Sequence, residues 1–374
     1  MGTVVFGTVL QTLRLRFLVL GSGTSLYRII GSTRKMWCTH GSDAESRWCL
    51  GSIVITVLLV RTLIGVCWRF VLGGASNLRN KRRPRASAPG FFIDLSHGQV
   101  HYEISTDRTS PRGELSDSRD LVVWVHGLTG EAFTLRREGP EYEFLGHKNG
   151  KATGMAKVMV DAGYDVLALD LYGHGWSDAP AACYSARLFV GQIAELLFAL
   201  GISKPIILGG FSMGSFVATR FAATFPFRVS RLVLHSCWQH NFPFPVMPSF
   251  HAVPGLVQLV ALLIQRVIDG NTLQLRTLQS ILLHHHDDGT WVEATQRLAE
   301  SWVKSKAGQR HVLMMYGTRE GPMARTTQQV VQMVGTEVTK VEIAQGAQHG
   351  DWYESNDQAT RDFFSHAVGA WLAL

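Results

Sequence analysis

The sequence predicts an α/β fold: a mostly parallel, doubly wound sheet with a helical cap, preceded by a separate N-terminal segment. Three observations predict it. From about residue 91 short apolar runs alternate with helical stretches. Most of these runs are apolar without interruption, as strands covered on both faces should be. One of them leads through Gly210-Phe211-Ser212-Met213-Gly214 directly into a helix.

The chain has 374 residues, room for one large body and an additional segment. Its formal charge of +7 is unevenly placed. Residues 1–90 carry 13 Lys and Arg against two acids, Asp43 and Glu45, so the remainder is net acidic. The basic balance therefore belongs to the N-terminal segment. That argues against a nucleic-acid partner and for a membrane-proximal or targeting stretch. The cysteines (Cys38, Cys49, Cys67, Cys183 and Cys237) are odd in number and scattered, unlike a disulfide framework or a zinc site. With no Asn-x-Ser/Thr acceptor either, the sequence fits a reducing compartment.

Residues 1–49 read as a targeting or disordered segment, with an apolar run at 3–13 too short to span a bilayer. Met36, taken as the start, would leave a simple signal anchor. Residues 50–72, LGSIVITVLLVRTLIGVCWRFVL, are long enough to cross ~30 Å of hydrocarbon as a helix. Arg61 in mid-run costs roughly 2.5–3.5 kcal/mol, which the surrounding Leu, Ile and Val offset, and Arg69 can snorkel. A single-pass membrane anchor is the expectation. Residues 73–90 form a basic linker, with Arg79, Lys81, Arg82, Arg83 and Arg85 ahead of Pro89 and Gly90. That bias puts the body, residues 91–374, on the cytosolic side.

The body opens with a hairpin, in which Phe91–Leu95 and residues 100–104 flank the turn Ser96-His97-Gly98-Gln99. Residues 106–120 are polar and read as a loop. Leu121–Val125, Asp165–Leu169 and residues 206–208, 232–234, 312–316 and 338–343 read as strands. Helices fall at residues 186–200, with Ser185 as N-cap, and at Met213–Thr224. Two insertions interrupt the alternation. Residues 139–151 read as a surface excursion, and residues 237–310 as the cap, with an apolar helix at 256–268.

The Gly210 to Gly214 motif carries the chemistry. A serine at a sharp strand-to-helix turn has its Oγ presented above the sheet, at a helix N-terminus that favours negative charge. Glycines on both sides let strand and helix approach. Such a hydroxyl is a weak nucleophile and needs a base. Of 15 histidines, His349 follows the last strand, in the turn Gly346-Ala347-Gln348-His349, which sets an imidazole over the same sheet edge. An acid should orient that imidazole. After residues 312–316 comes Gly317-Thr318-Arg319-Glu320, where Glu320 is the one carboxylate of the turn. Asp351 is nearer in sequence but would have to fold back on the ring. Two backbone N–H groups should face the developing oxyanion. Met213 follows the nucleophile, and Leu128 lies in the loop His126-Gly127-Leu128-Thr129-Gly130. His126 is read as a prop for that loop.

Four landmarks stand in order: the His126-Gly127 loop, Asp170-Leu171-Tyr172-Gly173-His174-Gly175-Trp176-Ser177, the Ser212 turn and Gly346-x-x-His349. Together they make residues 91–374 resemble the α/β-hydrolase superfamily, and within it the capped lipases and esterases related to monoacylglycerol lipases. Prolyl aminopeptidases stand close by. The resemblance implies ester hydrolysis through an acyl-enzyme on Ser212, with His349 and Glu320 completing a triad and no metal or organic cofactor. It also implies a distance from haloalkane dehalogenases and epoxide hydrolases, whose nucleophile is an aspartate. Two departures stand out. Glu320 occupies a place usually held by aspartate, and Ser215 one often held by glycine.

The expected substrate is a small acyl ester or a membrane-partitioned lipid ester. An amide hydrolase is the alternative, in which Asp269, Asp287, Asp288, Glu293 or Glu300 of the cap would bind a substrate ammonium. A non-catalytic scaffold on the same fold is a third reading, and thioesterase or acyltransferase activity a fourth. The run His284-His285-His286-Asp287-Asp288 reads as a loop and not as a metal site, because consecutive residues cannot all face one ion.

Overall fold

The order of strands across the sheet decides which loops meet at its edge, and so fixes where a site can form. The structure, a computed structural model, describes residues 88–107, 115, 118–128, 130–132, 142–144, 147–150, 154–237, 277–278, 280–281, 291–304, 311–349, 351–354 and 358–374. The expected anchor at 50–72, the linker up to residue 87, the cap helix at 256–268 and the run His284 to Asp288 lie outside the described residues. Among the described residues no helix is long and apolar enough to cross a membrane.

The elements in chain order are β1 (Phe91–Leu95), β2 (Gly98–Ser105), β3 (Leu121–Val125), β4 (Tyr142–Phe144) and β5 (His147–Gly150), then α1 (Met155–Asp161), β6 (Asp165–Leu169), α2 (Ala186–Ala199) and β7 (Ile206–Phe211). There follow α3 (Met213–Thr224), β8 (Val229–His235), α4 (Trp291–Arg297), β9 (Val312–Gly317), α5 (Pro322–Val334), β10 (Thr339–Ala344), α6 (Asp351–Glu354) and α7 (Gln358–Leu372). Eight strands form one sheet in the order β1-β2-β6-β3-β7-β8-β9-β10. From β6 to β10 the pairs are parallel, while β1–β2 and β2–β6 are antiparallel.

The continuous apolar runs are explained by two cores, one on each face. Val123, Val125, Leu167, Leu208, Leu232, Leu234 and Met314 point into one of them. Their neighbours Val122, Trp124, Val166, Ile207, Val233, Leu313 and Met315 point into the other. This is the two-residue period of a pleated strand. Phe189 and Ile193 of α2, Phe216 and Phe221 of α3, and Val330 and Val334 of α5 close the first core. Met155 and Met159 of α1 and Phe364, Val368 and Trp371 of α7 close the second. Each fully buried large side chain of this kind contributes about 1.5–3 kcal/mol. Helix α4 passes into a π-helical stretch, Leu298–Val303. There the buried Trp302 Nε1–H donates to the Val229 carbonyl at 2.7 Å.

Three local readings change. The hairpin turn is two residues, Ser96 and His97, because Gly98 already pairs with Leu95. Gly98 has φ +132, and a Cβ there would lie 3.0 Å from Asp178, whose carboxylate accepts the Gln99 N–H. Within residues 139–151 the chain forms its own two-stranded antiparallel sheet, β4 with β5. Ser185 stands at the N-cap of α2, but its hydroxyl makes no capping bond.

Gly209 shows why β7 runs on past residue 208. A Cβ at Gly209 would sit 2.2 Å from the ring of Trp124 on β3, so the indole occupies the space that a side chain would need. Gly191, inside α2, has nothing within 4 Å of its Cβ position. Gly209→Ala should therefore lower the melting temperature sharply or leave no soluble protein. Gly191→Ala should raise stability by about 0.5–1 kcal/mol, and denaturant unfolding of both variants checks the pair.

Candidate active site

Ser212 sits between the last residue of β7 and the first of α3, with φ 53 and ψ −117. A left-handed non-glycine residue costs about 1–2 kcal/mol. The surroundings hold it there. Ser212 N–H donates to the His235 carbonyl at 2.9 Å. The Ser212 carbonyl accepts from Ser215 N at 3.0 Å and from Ser215 Oγ at 2.6 Å. Ser215, a departure from the family pattern, thus ties down the strained residue. The flanking glycines are required sterically. A Cβ at Gly210 would lie 2.3 Å from the Gly214 carbonyl oxygen, and one at Gly214 would lie 2.2 Å from the Val125 carbonyl oxygen.

The structure brings His349 to this serine. Ser212 Oγ–H donates to His349 Nε2 at 3.0 Å, across 137 residues of sequence. The imidazole stacks on Phe211, with ring centres 4.8 Å apart and planes 22° apart. Its turn is pinned to the turn after β9: Gly346 N–H donates to Thr318 Oγ1, and Arg319 N–H to the Ala347 carbonyl. Asp351 does not fold back on the ring. Its carboxylate accepts the Gln348 N–H at 2.7 Å and closes its own turn.

Glu320 lies on the other side of the imidazole, with its carboxylate buried. Oε1 accepts from Ser236 Oγ at 2.7 Å and from Gly317 N at 2.8 Å. Oε2 faces His349 Nδ1 at 3.7 Å. Neither of these two atoms has a hydrogen-bond partner among the described residues. The pair is longer than a formed bond, as such pairs often are before substrate binds. With Nδ1 carrying the proton towards Glu320, Nε2 presents its lone pair to the serine.

The loop after β3 lies against the same serine. A Cβ at Gly127 would be 3.3 Å from Ser212 Cβ and 3.0 Å from the Phe211 ring. The Gly127 carbonyl accepts from His126 Nδ1 at 2.6 Å and from Gly130 N at 3.0 Å. Because the peptide is planar and trans, gripping that oxygen fixes the direction of the Leu128 N–H. His174 Nε2 donates to the Leu128 carbonyl at 2.8 Å and fixes the next peptide as well. Met213 opens α3, so its N–H has no acceptor within the helix. His126 is a prop, as the sequence suggested: its Nε2 accepts the Leu171 N–H at 3.0 Å. Burial, and then the neighbouring His174, push its pKa down to about 3, so it stays neutral.

Several residues of the site were not singled out from sequence. Ser236 was missed, and so was His235, a fully buried imidazole packed against Phe211, Trp352 and Phe364. Burial, and then the charge of His349, hold the His235 pKa well below the ordinary value. The available signal was position. Both residues follow or end a central parallel strand next to β7, where sites in such sheets form. A second missed group is the pair His101 and Asp170. The Asp170 carboxylate accepts from Ala132 N at 2.6 Å, Trp176 N at 2.9 Å and His101 Nδ1 at 2.8 Å. His101 Nε2 reaches the Pro89 carbonyl, which can only accept. Both ring nitrogens therefore donate, and the imidazole is charged. Burial opposes charge on each partner, but the ion pair prevails, holding Asp170 below and His101 above their ordinary values.

These histidines give stability a pH dependence of two signs. His126 titrates near 6.5 unfolded and about 3 folded. Unfolding takes up a proton between those values, so stability falls as pH falls, by about 1.4 kcal/mol per unit. His101 is raised, so its contribution is complete below 6.5 and fades as pH rises through its folded value. In denaturant titrations His126→Asn should flatten the slope between pH 6 and 4 by one proton. His101→Gln should cost more stability at pH 6 than at pH 9.

The sequence model described as alpha/beta hydrolase fold matches residues 120–319. An uncharacterized protein of Mycobacterium tuberculosis is 44% identical over 115 residues, 30% of this chain and 33% of that one. Epoxide hydrolase 4 of Mus musculus is 37% identical over 197 residues, 49% of this chain and 45% of its own. The matches thus span a third to a half of these relatives' length. Among solved structures, a carboxylesterase of Nitrososphaera gargenis superposes with TM-score 0.52 at 14% identity, covering 75% of this chain and 98% of its own. An esterase of Exiguobacterium antarcticum does so with TM-score 0.51 at 17% identity, covering 76% and 100%. At these identities the superpositions speak for the fold.

Proposed function

The chain belongs to the α/β hydrolase fold family, and on that footing we propose that it is a serine hydrolase of carboxylic esters. The observation that carries this is the contact of Ser212 Oγ with His349 Nε2 at 3.0 Å, at a strained strand-to-helix turn. In this reading His349 takes the serine proton as Oγ attacks the acyl carbonyl. Glu320 steadies the imidazolium, and the N–H groups of Leu128 and Met213 receive the oxyanion. The alcohol leaves with the proton from His349. Water, deprotonated by the same imidazole, then releases the acid and restores Ser212.

Similarity to an epoxide hydrolase raises a second chemistry. Opening an epoxide through a covalent intermediate needs a nucleophile whose adduct water can cleave. A carboxylate gives an ester, which hydrolyses; a serine hydroxyl would give a stable ether. Ser212 therefore favours acyl transfer. For the substrate class we favour lipid esters such as monoacylglycerols, met at a membrane. The apolar runs at 50–72 and 256–268 support that choice.

The test uses the full chain and a fluorophosphonate probe. Wild type should be labelled, while Ser212→Ala should not. With glyceryl monoesters, prolyl anilides and styrene oxide as substrates, turnover should be confined to the esters. Ser212→Ala and His349→Ala should each lose roughly 10⁴-fold or more in kcat, and Glu320→Gln roughly 10²–10⁴-fold. A folded wild type that takes no label would sink the assignment.

A further inference from the structure

Ser236 follows β8 directly and is, with Ser212, one of two non-glycine residues with positive φ among the described residues, at φ 51. Glycine would occupy such a position without strain. The residue is fully buried, so no contact with water explains the serine. Its N–H donates to the Met315 carbonyl at 2.7 Å, which fixes its backbone against β9. Its hydroxyl donates to Glu320 Oε1 at 2.7 Å.

We propose that Ser236 is a positioning residue for Glu320: by saturating Oε1 it presents Oε2 to Nδ1 of His349. The proposal rests on the reading of Glu320 as the acid of an ester hydrolase. Its physical basis is the length of the side chain. Glutamate has one rotatable bond more than aspartate, so its carboxylate needs holding from outside its own turn. The Gly317 N–H, three residues back, supplies one anchor at 2.8 Å. A single donor on one oxygen leaves the carboxylate free to swing about that bond. Ser236, arriving from the neighbouring strand, supplies the second anchor, and Oε2 is left facing His349 at 3.7 Å. The strained serine is retained because glycine, though conformationally easier, carries no hydroxyl.

The test measures the second-order rate of Ser212 labelling by a fluorophosphonate from pH 5 to 9, with the full chain. Wild type, Ser236→Gly, Ser236→Ala and Glu320→Gln are compared, and each is melted. Ser236→Gly relieves the positive φ, which offsets part of the lost hydrogen bond, so it should melt above Ser236→Ala and as one cooperative transition, which removes misfolding as an explanation. Both Ser236 variants should label about tenfold more slowly. Their pH profile should depart from wild type on the acid limb, because the carboxylate is no longer held towards the imidazole. If Ser236→Gly keeps the wild-type rate and profile while Glu320→Gln slows labelling, Ser236 serves only the backbone and the proposal is overturned. If Glu320→Gln also labels like wild type, the acid assignment itself has failed and the proposal falls with it.

Discussion

One backbone conformation organises this molecule: Ser212 in the left-handed region between β7 and α3. Holding it requires contact from both neighbouring strands. The Val125 carbonyl at the end of β3 presses on Gly214, and the His235 carbonyl at the end of β8 accepts the Ser212 N–H. Strand pairing therefore delivers whatever follows those strands. In register, Val125 lies beside Gly210, Phe211 beside His235, and His235 beside Met315. The next step across pairs Gly317 with Ala344. The loop of Leu128, Ser212 itself, the hydroxyl of Ser236, the carboxylate of Glu320 and the ring of His349 thus come from five strand ends set side by side, β3, β7, β8, β9 and β10. The sheet register measures out the site.

Four buried histidines around this centre show how surroundings decide charge. His126, His174 and His235 are each held below the ordinary imidazole value, with burial as the leading cause. His126 and His174 face backbone groups, and His235 faces aromatic rings. None has a carboxylate as hydrogen-bond partner. His101 does, and burial fails to discharge it because Asp170 touches one nitrogen and the Pro89 carbonyl the other.

Much of this was legible in the sequence. The strand–helix alternation gave the parallel sheet, and the order of motifs singled out Ser212, His349 and Glu320 before any distance was known. The misses have physical reasons. The last turn of β7 passes through Gly209 and Gly210, poor strand formers by composition, which only the packing of Trp124 and Gly214 explains. Ser236 looks like any serine after a strand, because its meaning lies in a partner 84 residues away. His101 sits in β2, between β1 and β6, one strand in from the edge of the sheet, where nothing in the local sequence marks it out. Its charge depends on a loop aspartate and on a proline carbonyl that sequence alone does not bring together.

The bond from His101 to Pro89 draws a residue ahead of β1 into the folding unit. Pro89 precedes β1 and belongs to no strand, yet its oxygen answers one of the two protons of a buried cation. A polypeptide trimmed to begin at Phe91 would keep every strand of the sheet and still be defective. Its imidazolium would have an unanswered donor, or would give up a proton and loosen its hold on Asp170. Asp170 in turn steadies Ala132 and Trp176. Pro89, which would pass in sequence for the tail of a linker, therefore belongs with the folded body.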